Sequence, residues 1–292
     1  MRVTSVPTRG ADALASQRLL SVGGGYNSMS AAARQGMAVV YAGRLGTGPF
    51  SSMASDALGS DGIEIPIEPD EGSDVGFCVV LVDDGAERTF ITSPGAEATL
   101  RPSDLDVLGP RPGDFVIVSG YNVMYPETAP MVLSWLSALP DDVAVAFDPS
   151  NRVMDIPVHY LERALARATW LFCNETEAAW MTGESSLERS VVALAVRTGG
   201  SSVVLRHGAT GCTIVEGGSV PVAVPGFETT VVDTNGAGDT HAGVFLAELA
   251  RGSNVLDAAR RANAAASMSI SVLGPATSPR RAAVSDRLRE SR

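Results

Sequence analysis

From Asp104 onward, short apolar runs alternate with stretches of helical period. The runs at 115–118, 143–147, 170–173, 202–206 and 212–215 are rich in Val, Leu and Phe. Continuous apolar runs of this length, bounded by turn residues, read as strands buried on both faces. Between and after them the 3.6-residue period predicts helices over 127–138, 157–168, 175–181, 187–198, 242–251 and 254–271. Regular alternation of the two implies an α/β fold, a doubly wound and mostly parallel sheet with helices on both faces. The end of the chain, 280–292, reads as a solvated final helix.

The first hundred residues have another texture. Residues 28–35 predict a helix whose Ala31, Ala32 and Ala33 let it approach a sheet closely, with Gly36 at its C-terminal cap. A buried strand is expected at 38–43 and a helix at 50–58. Then Ile63, Ile65 and Ile67 alternate with polar residues, 76–82 reads as a strand, and the turn Asp83-Asp84-Gly85 leads into another at 87–92. Antiparallel ribbons with one wet face have this pattern. Residues 62–92, completed by one or two short strands within 10–22, are therefore expected to form a small β lid on a single domain spanning 1–292.

Composition narrows the class. Of the 292 residues 45% are hydrophobic but only 5% aromatic, which suits a core of Val, Leu, Ala and Ile around a parallel sheet. A net charge of −11 argues against nucleic-acid partners, which call for a basic footprint. No apolar run reaches the ~18 residues of a membrane span, and no signal-peptide core opens the chain. A soluble, cytoplasmic protein is expected. Cys78, Cys173 and Cys212 each lie in an apolar run and read as buried free thiols, and no metal spacing links them to the three histidines. All 22 basic residues are arginines. With no lysine, the Walker P-loop and Schiff-base chemistry are excluded.

The chemistry concentrates in Val232-Asp233-Thr234-Asn235-Gly236-Ala237-Gly238-Asp239-Thr240-His241. The β-branched run 229–232 predicts a strand that empties through a glycine turn into a helix. Such a turn aims backbone N–H groups and the positive end of a helix dipole at one point. Asp239 there is either a helix N-cap or a base beside an anion cradle, and the turn alone leaves both readings open. The spacing fails the EF-hand calcium loop, with Ala237 and Val244 at ligand positions. Near the start, Gly23-Gly24-Gly25-Tyr26-Asn27 fails the dinucleotide fingerprint, because Ser28 stands where its last glycine belongs.

Taken in order, these motifs resemble those of the ribokinase (PfkB-type) carbohydrate kinases. Asp233 to Asp239 is similar to the family's C-terminal signature. Gly24, Gly25 and Asn27, followed by a small-residue helix ending in Arg34-Gln35-Gly36, resemble its N-terminal one. The resemblance implies that Gly24, Gly25 and Asn27 bind sugar hydroxyls, and that Asp239 is the base with the backbone of Gly236, Ala237 and Gly238 as anion hole. Asn174 and Glu177 match an N-x-x-E motif that organises Mg2+ and phosphates, Glu177 through water. Arg206-His207-Gly208-Ala209-Thr210-Gly211 resembles the nucleotide loop, assigning Arg206, Gly208 and Gly211 to the nucleotide; Asn263 matches an asparagine near the adenine. Asp233, Asn235, Gly274 and Ser278 fall where many relatives hold K+. Arg88, in the lid pattern, is placed to touch the substrate. Asp148-Pro149-Ser150-Asn151-Arg152 is near a specificity motif but one residue out of register, so no specificity carries over.

The function implied is ATP-dependent phosphorylation of a sugar-like hydroxyl, by a homodimer paired through its lids. The resemblance also implies that the family's first core strand, with an aspartate that grips the sugar, is absent from residues 1–6, leaving a sheet without it. A nucleoside kinase, or a silent sugar- or nucleotide-binding protein, are the alternative readings. A Rossmann oxidoreductase is disfavoured by the failed fingerprint.

Overall fold

A computed structural model describes residues 1–85 and 87–291. In chain order, α1 (Tyr26–Arg34) and α2 (Pro49–Ser60) precede the hairpin β1 (Phe77–Val82) and β2 (Arg88–Ser93). The α/β body follows: α3 (Pro102–Asp106), β3 (Phe115–Ser119), α4 (Gly120–Met124), α5 (Ala129–Ala138), β4 (Ala144–Asp148), α6 (Val158–Arg167), β5 (Trp170–Asn174), α7 (Glu175–Thr182), α8 (Leu187–Arg197), β6 (Ser202–Arg206), β7 (Gly211–Val215), β8 (Val222–Pro225), α9 (Ala237–Ala250), α10 (Val255–Ser269) and α11 (Arg281–Glu290).

The main sheet runs in the order β3-β4-β5-β6-β7-β8. β3 to β6 are parallel, while β7 and β8 return antiparallel. Strand side chains alternate between two apolar layers, as the period of two requires. Val145, Phe147, Leu171, Cys173, Val203 and Leu205 face a layer shared with α5 to α8. Ala146, Trp170, Phe172 and Val204 face α9 and α10. Phe245 of α9 meets Trp170 and Phe172 edge-on, with ring centroids 5.0 and 5.5 Å away. The doubly wound arrangement is thus present.

The N-terminal third departs from expectation in three places. Residues 10–22 form no strand; Gln17 bridges Arg2, and Leu14, Leu19 and Leu20 are exposed. The segment carries three leucines, but beyond the Arg2–Gln17 bridge it finds no neighbour to complete a ladder. Residues 38–43 contribute only a bridge from Val40 to Glu64, since no strand lies beside them to complete a ladder. The alternating isoleucines likewise belong to the body: Ile63 and Ile67 are buried, Ile63 in a cluster with Tyr26, Leu45 and Leu58. The lid is therefore β1 and β2 with the first residues beside them. Val82 N–H donates to the Met1 carbonyl (2.9 Å) and Val3 N–H to the Val82 carbonyl (3.0 Å). Residues 1–6 thus sit at the lid, and β3 is the edge of the main sheet.

Smaller differences follow from packing. The alanine face of α1 lies on α9 rather than on the sheet: a Cβ at Gly243 would stand 2.3 Å from the Ser28 carbonyl oxygen and 2.9 Å from Ala31 Cβ. Residues 229–232 are not a strand; Val232 and Asp233 N–H groups hang from the Ile270 carbonyl at the end of α10. Strand β8, bounded by Pro221 and Pro225, occupies the sheet edge, the place where proline is tolerated. α11 is docked rather than solvated, with Val284 fully buried and Arg281 paired to Glu248. Cys78 is exposed in the lid, while Cys173 and Cys212 are buried. Among the described residues no helix is long and apolar enough to cross a membrane.

Candidate active site

Three parallel strands end in polar residues at one place: Asp148 closes β4, Asn174 closes β5 and Arg206 closes β6. Carboxyl ends of parallel strands form the crevice of an open α/β sheet. The N-terminus of α9 is aimed at the same point. Gly236 is its N-cap, in the left-handed region at φ 78°, and no side chain caps the helix. Asp239 is therefore not the cap. It lies within the first helical turn, where N–H groups have no intrahelical acceptor.

Asp239 is half-buried and held by α1: Asn27 Nδ2 donates to its Oδ2 at 2.8 Å. Burial pushes the Asp239 carboxyl above its ordinary value, opposed by the Asn27 hydrogen bond; Asp148 pushes the same way as burial and Arg206 against it. Asn27 Oδ1 is buried with no partner among the described residues. A buried acceptor left open beside a carboxylate is a place for a ligand hydroxyl. Gly24, at φ 61°, and Gly25 lead into α1, their carbonyls accepting the Asn27 and Met29 N–H groups at 3.0 and 3.2 Å.

Arg206, which the resemblance assigns to the nucleotide, has its side chain held within the site. Its guanidinium lies under the α9 terminus, donating to the Gly238 carbonyl (2.9 Å) and to Asp148 Oδ2 (2.9 Å), with Glu177 Oε2 at 3.9 Å. Burial works against its charge, but Asp148 and then Glu177 more than offset this and raise its pKa. Glu177 closes a capping box on α7: its oxygens accept Asn174 N–H (2.9 Å) and Nδ2 (2.8 Å), and Asn174 Oδ1 accepts Glu177 N–H. Burial, then the Asp148 charge, holds the Glu177 carboxyl above the usual range. Asp148, which its shifted motif left without a role, is thus central. Its signal was the acidic residue ending a strand beside two other polar strand ends.

The loop 207–211 is shaped by backbone contact. Gly211, at φ 103°, would place a Cβ 2.2 Å from the Val224 carbonyl oxygen, and Gly226 one 2.2 Å from that of Ala209. Gly208, at φ 59°, has open space around it. Asn263, which also lines the cleft, donates from Nδ2 to the Val224 and Pro225 carbonyls (both 3.0 Å), and its Oδ1 meets His241 Nε2 (3.1 Å). With its amide fully engaged, Asn263 braces the end of β8. Arg88, expected near the substrate, lines the cleft and pairs with Asp233 at 2.7 Å. One cleft joins Arg88, Asn27, Asp239, Asp148, Glu177 and Gly208.

A family model described as pfkB family carbohydrate kinase matches residues 4–282. The chain belongs to that family. It is thereby a kinase-type enzyme, and the family's relatives span its length. It is 32% identical over 286 residues to the uncharacterized sugar kinase YegV of Escherichia coli, covering 95% of this chain and 86% of that one. Solved structures share the fold. Ribokinase from Thermotoga maritima superposes with a TM-score of 0.82 at 22% identity, covering 99% of this chain and 94% of its own. An E. coli ribokinase II, a putative one in complex with ATP and Mg2+, gives 0.81 at 18% identity, covering 99% and 96%.

Proposed function

We propose that the protein transfers the γ-phosphoryl group of ATP to a hydroxyl of a sugar or sugar-like acceptor, with Asp239 as base. The observation that carries this reading is the Asn27–Asp239 pair beside the uncapped α9 terminus. A carboxylate, an open amide acceptor and a helix N-terminus without a side-chain cap, its Ala237 N–H only loosely held by the Thr234 carbonyl at 3.4 Å, support it.

Phosphoryl transfer depends on positioning and charge neutralisation more than on covalent help. Asn27 Oδ1 accepts from an acceptor hydroxyl, and Gly24 and Gly25 offer N–H groups to its neighbours. Asp239 orients the reacting hydroxyl and receives its proton as the oxygen bonds to phosphorus. The N–H groups of Gly236, Ala237, Gly238 and Asp239 hold the charge that gathers on the transferred group, as an oxyanion hole does. Gly208 and Gly211 shape the loop that seats the nucleotide.

Mg2+ suits the surplus of carboxylate around Arg206, and it neutralises phosphate charge when bound. Both Glu177 oxygens are engaged by Asn174, so Glu177 and Asp148 fit a hydrated ion held through water. The structure bound to ATP and Mg2+ among its relatives supports the same pair here.

Asp239→Asn tests the assignment. The variant is expected to bind ATP normally by calorimetry while turnover falls by about three orders of magnitude or more. In the wild type the rate should fall as pH drops through the raised Asp239 pKa, because the working form is the anion. Near-normal kcat in the variant would remove Asp239 from the chemistry. A coupled ADP-release screen over pentoses, hexoses, sugar acids and nucleosides identifies the acceptor.

We also propose a cytoplasmic homodimer paired through the lid. Phe77, Phe90 and Ile91 of the hairpin are each about half exposed or more, at 49%, 51% and 59%. Phe77 and Ile91 share one face of the ribbon and Phe90 lies on the other, and exposed apolar side chains on a two-stranded ribbon favour a partner surface.

A further inference from the structure

One side chain carries the lid to the anion-hole turn. Arg88 opens β2, and its guanidinium reaches the loop before α9, 145 positions away in sequence. Nη2 donates to Asp233 Oδ1 at 2.7 Å and Nη1 to Thr234 Oγ1 at 2.9 Å. The same carboxylate accepts the Asn235 N–H on Oδ1 and the Gly274 N–H on Oδ2, both at 3.0 Å. Asp233 therefore ties together the lid, the turn into α9 and the loop after α10. Its side chain is only 14% exposed, so its charge needs a close counter-ion.

A bound K+ at this place would draw on that carboxylate and on the oxygens of the loop after α10. The carboxylate and two of the loop carbonyls, those of Ala276 and Ser278, are already engaged by arginine. Arg34 Nη1 donates to the Ala276 carbonyl at 2.6 Å and to the Ser278 carbonyl at 3.1 Å. Gly274 presents its N–H, not its carbonyl, to Asp233. Ser278 Oγ is buried without a partner among the described residues, but one hydroxyl does not make a cation cage. The residues present do not fit a K+ ion. Two guanidinium groups stand on its acceptors.

We infer that Arg88 is the built-in counter-cation of Asp233, that it sets the anion-hole turn as the lid closes, and that phosphoryl transfer is independent of monovalent cations. This deepens the kinase reading and rests on it. Arginine suits the task because its planar fork binds a carboxylate and a hydroxyl together and it never loses its charge. The two residues it grips, Asp233 and Thr234, immediately precede Asn235 and Gly236, where the turn begins. Arg88 is a positioning residue, acting through Asp233, and it makes the anion hole complete only beneath a closed lid.

The test is a cation series at matched ionic strength in the chlorides of potassium, sodium and tetramethylammonium. Melting temperature and initial rate of the wild type are expected to agree across the three salts within about twofold in rate, screening being equal. A K+-selective rise in either would overturn the inference. Arg88→Gln is expected to lose kcat on the order of a hundredfold, the cost of a displaced turn. Its KM for ATP should change far less. K+ should restore part of the lost rate and raise its melting temperature selectively, whereas Arg88→Lys should need no salt. Arg88→Gln with unchanged kcat in every salt would also sink the idea. If Arg88→Gln fails to fold, Arg88→Lys and the wild-type series still decide. Melting requires no acceptor sugar, so a protein that releases no ADP with any acceptor refutes the kinase reading while the cation series still judges Arg88.

Discussion

At the scale of single residues, the site is built from groups held away from their ordinary ionisation. Asp239 and Glu177 are pushed up by burial, and Arg206 stays charged among carboxylates. His241 shows the consequence for stability. It is buried beside Asn263 and Phe245, and burial depresses it from 6.5 to about 3. Asn263 Nδ2 donates to carbonyls, so Oδ1 accepts and His241 Nε2 carries the proton. The folded protein keeps His241 neutral where the unfolded chain binds a proton. Its contribution is therefore complete above pH 6.5 and lost progressively as pH falls towards 3. Denaturant titrations at neutral and mildly acidic pH should show stability dropping across this window, with a shallower drop in His241→Gln. An identical slope in the variant would mean other groups dominate.

Among elements, the decisive contact is α1 on α9. These helices carry Asn27 and Asp239, and their approach is permitted by Gly243 against Ser28 and Ala31. Gly243→Ala puts a Cβ 2.3 Å from a backbone oxygen that has no free direction to yield. Overpacking of this kind costs about 1–3 kcal/mol. The variant should melt lower and, because α1 must back away, should lose kcat through the Asn27–Asp239 bond. Lost stability with full kcat would show that the two helices can part without disturbing the pair. The alanines of α1 were legible as a close-packing face; their partner was not. Small residues announce close approach without stating whether a sheet or a helix lies opposite.

For the molecule as a whole, the exposed apolar hairpin makes assembly testable. Light scattering on the wild type should report a dimer, and Ile91→Asp on the lid should shift it to monomer, since a charge opposed across a pair interface is costly. A monomeric wild type would leave the lid working alone. The α/β body from residue 104 onward was readable because buried parallel strands and amphipathic helices leave periodic signals that depend on local order. The first third was not. Residues 10–22 and 38–43 have apolar content, but a strand exists only where a neighbour completes its ladder, and that is a long-range condition. The cysteines divide the same way: Cys173 and Cys212 lie on central strands, while Cys78 sits in an apolar run that has one wet face.

Fold class, family and the positions of the turn, the amide and the carboxylates are legible along the chain, because strand and helix periods and glycine-bearing turns are local properties. Which of those groups face one another was left to the packing of the folded chain. It brought Asn27 to Asp239 across 212 positions, buried Arg206 beneath the α9 terminus, spent Asn263 on the end of β8 and joined Arg88 to Asp233. Each pairing depends on how layers stack and on which charges must be neutralised once water is removed, and no local pattern encodes that.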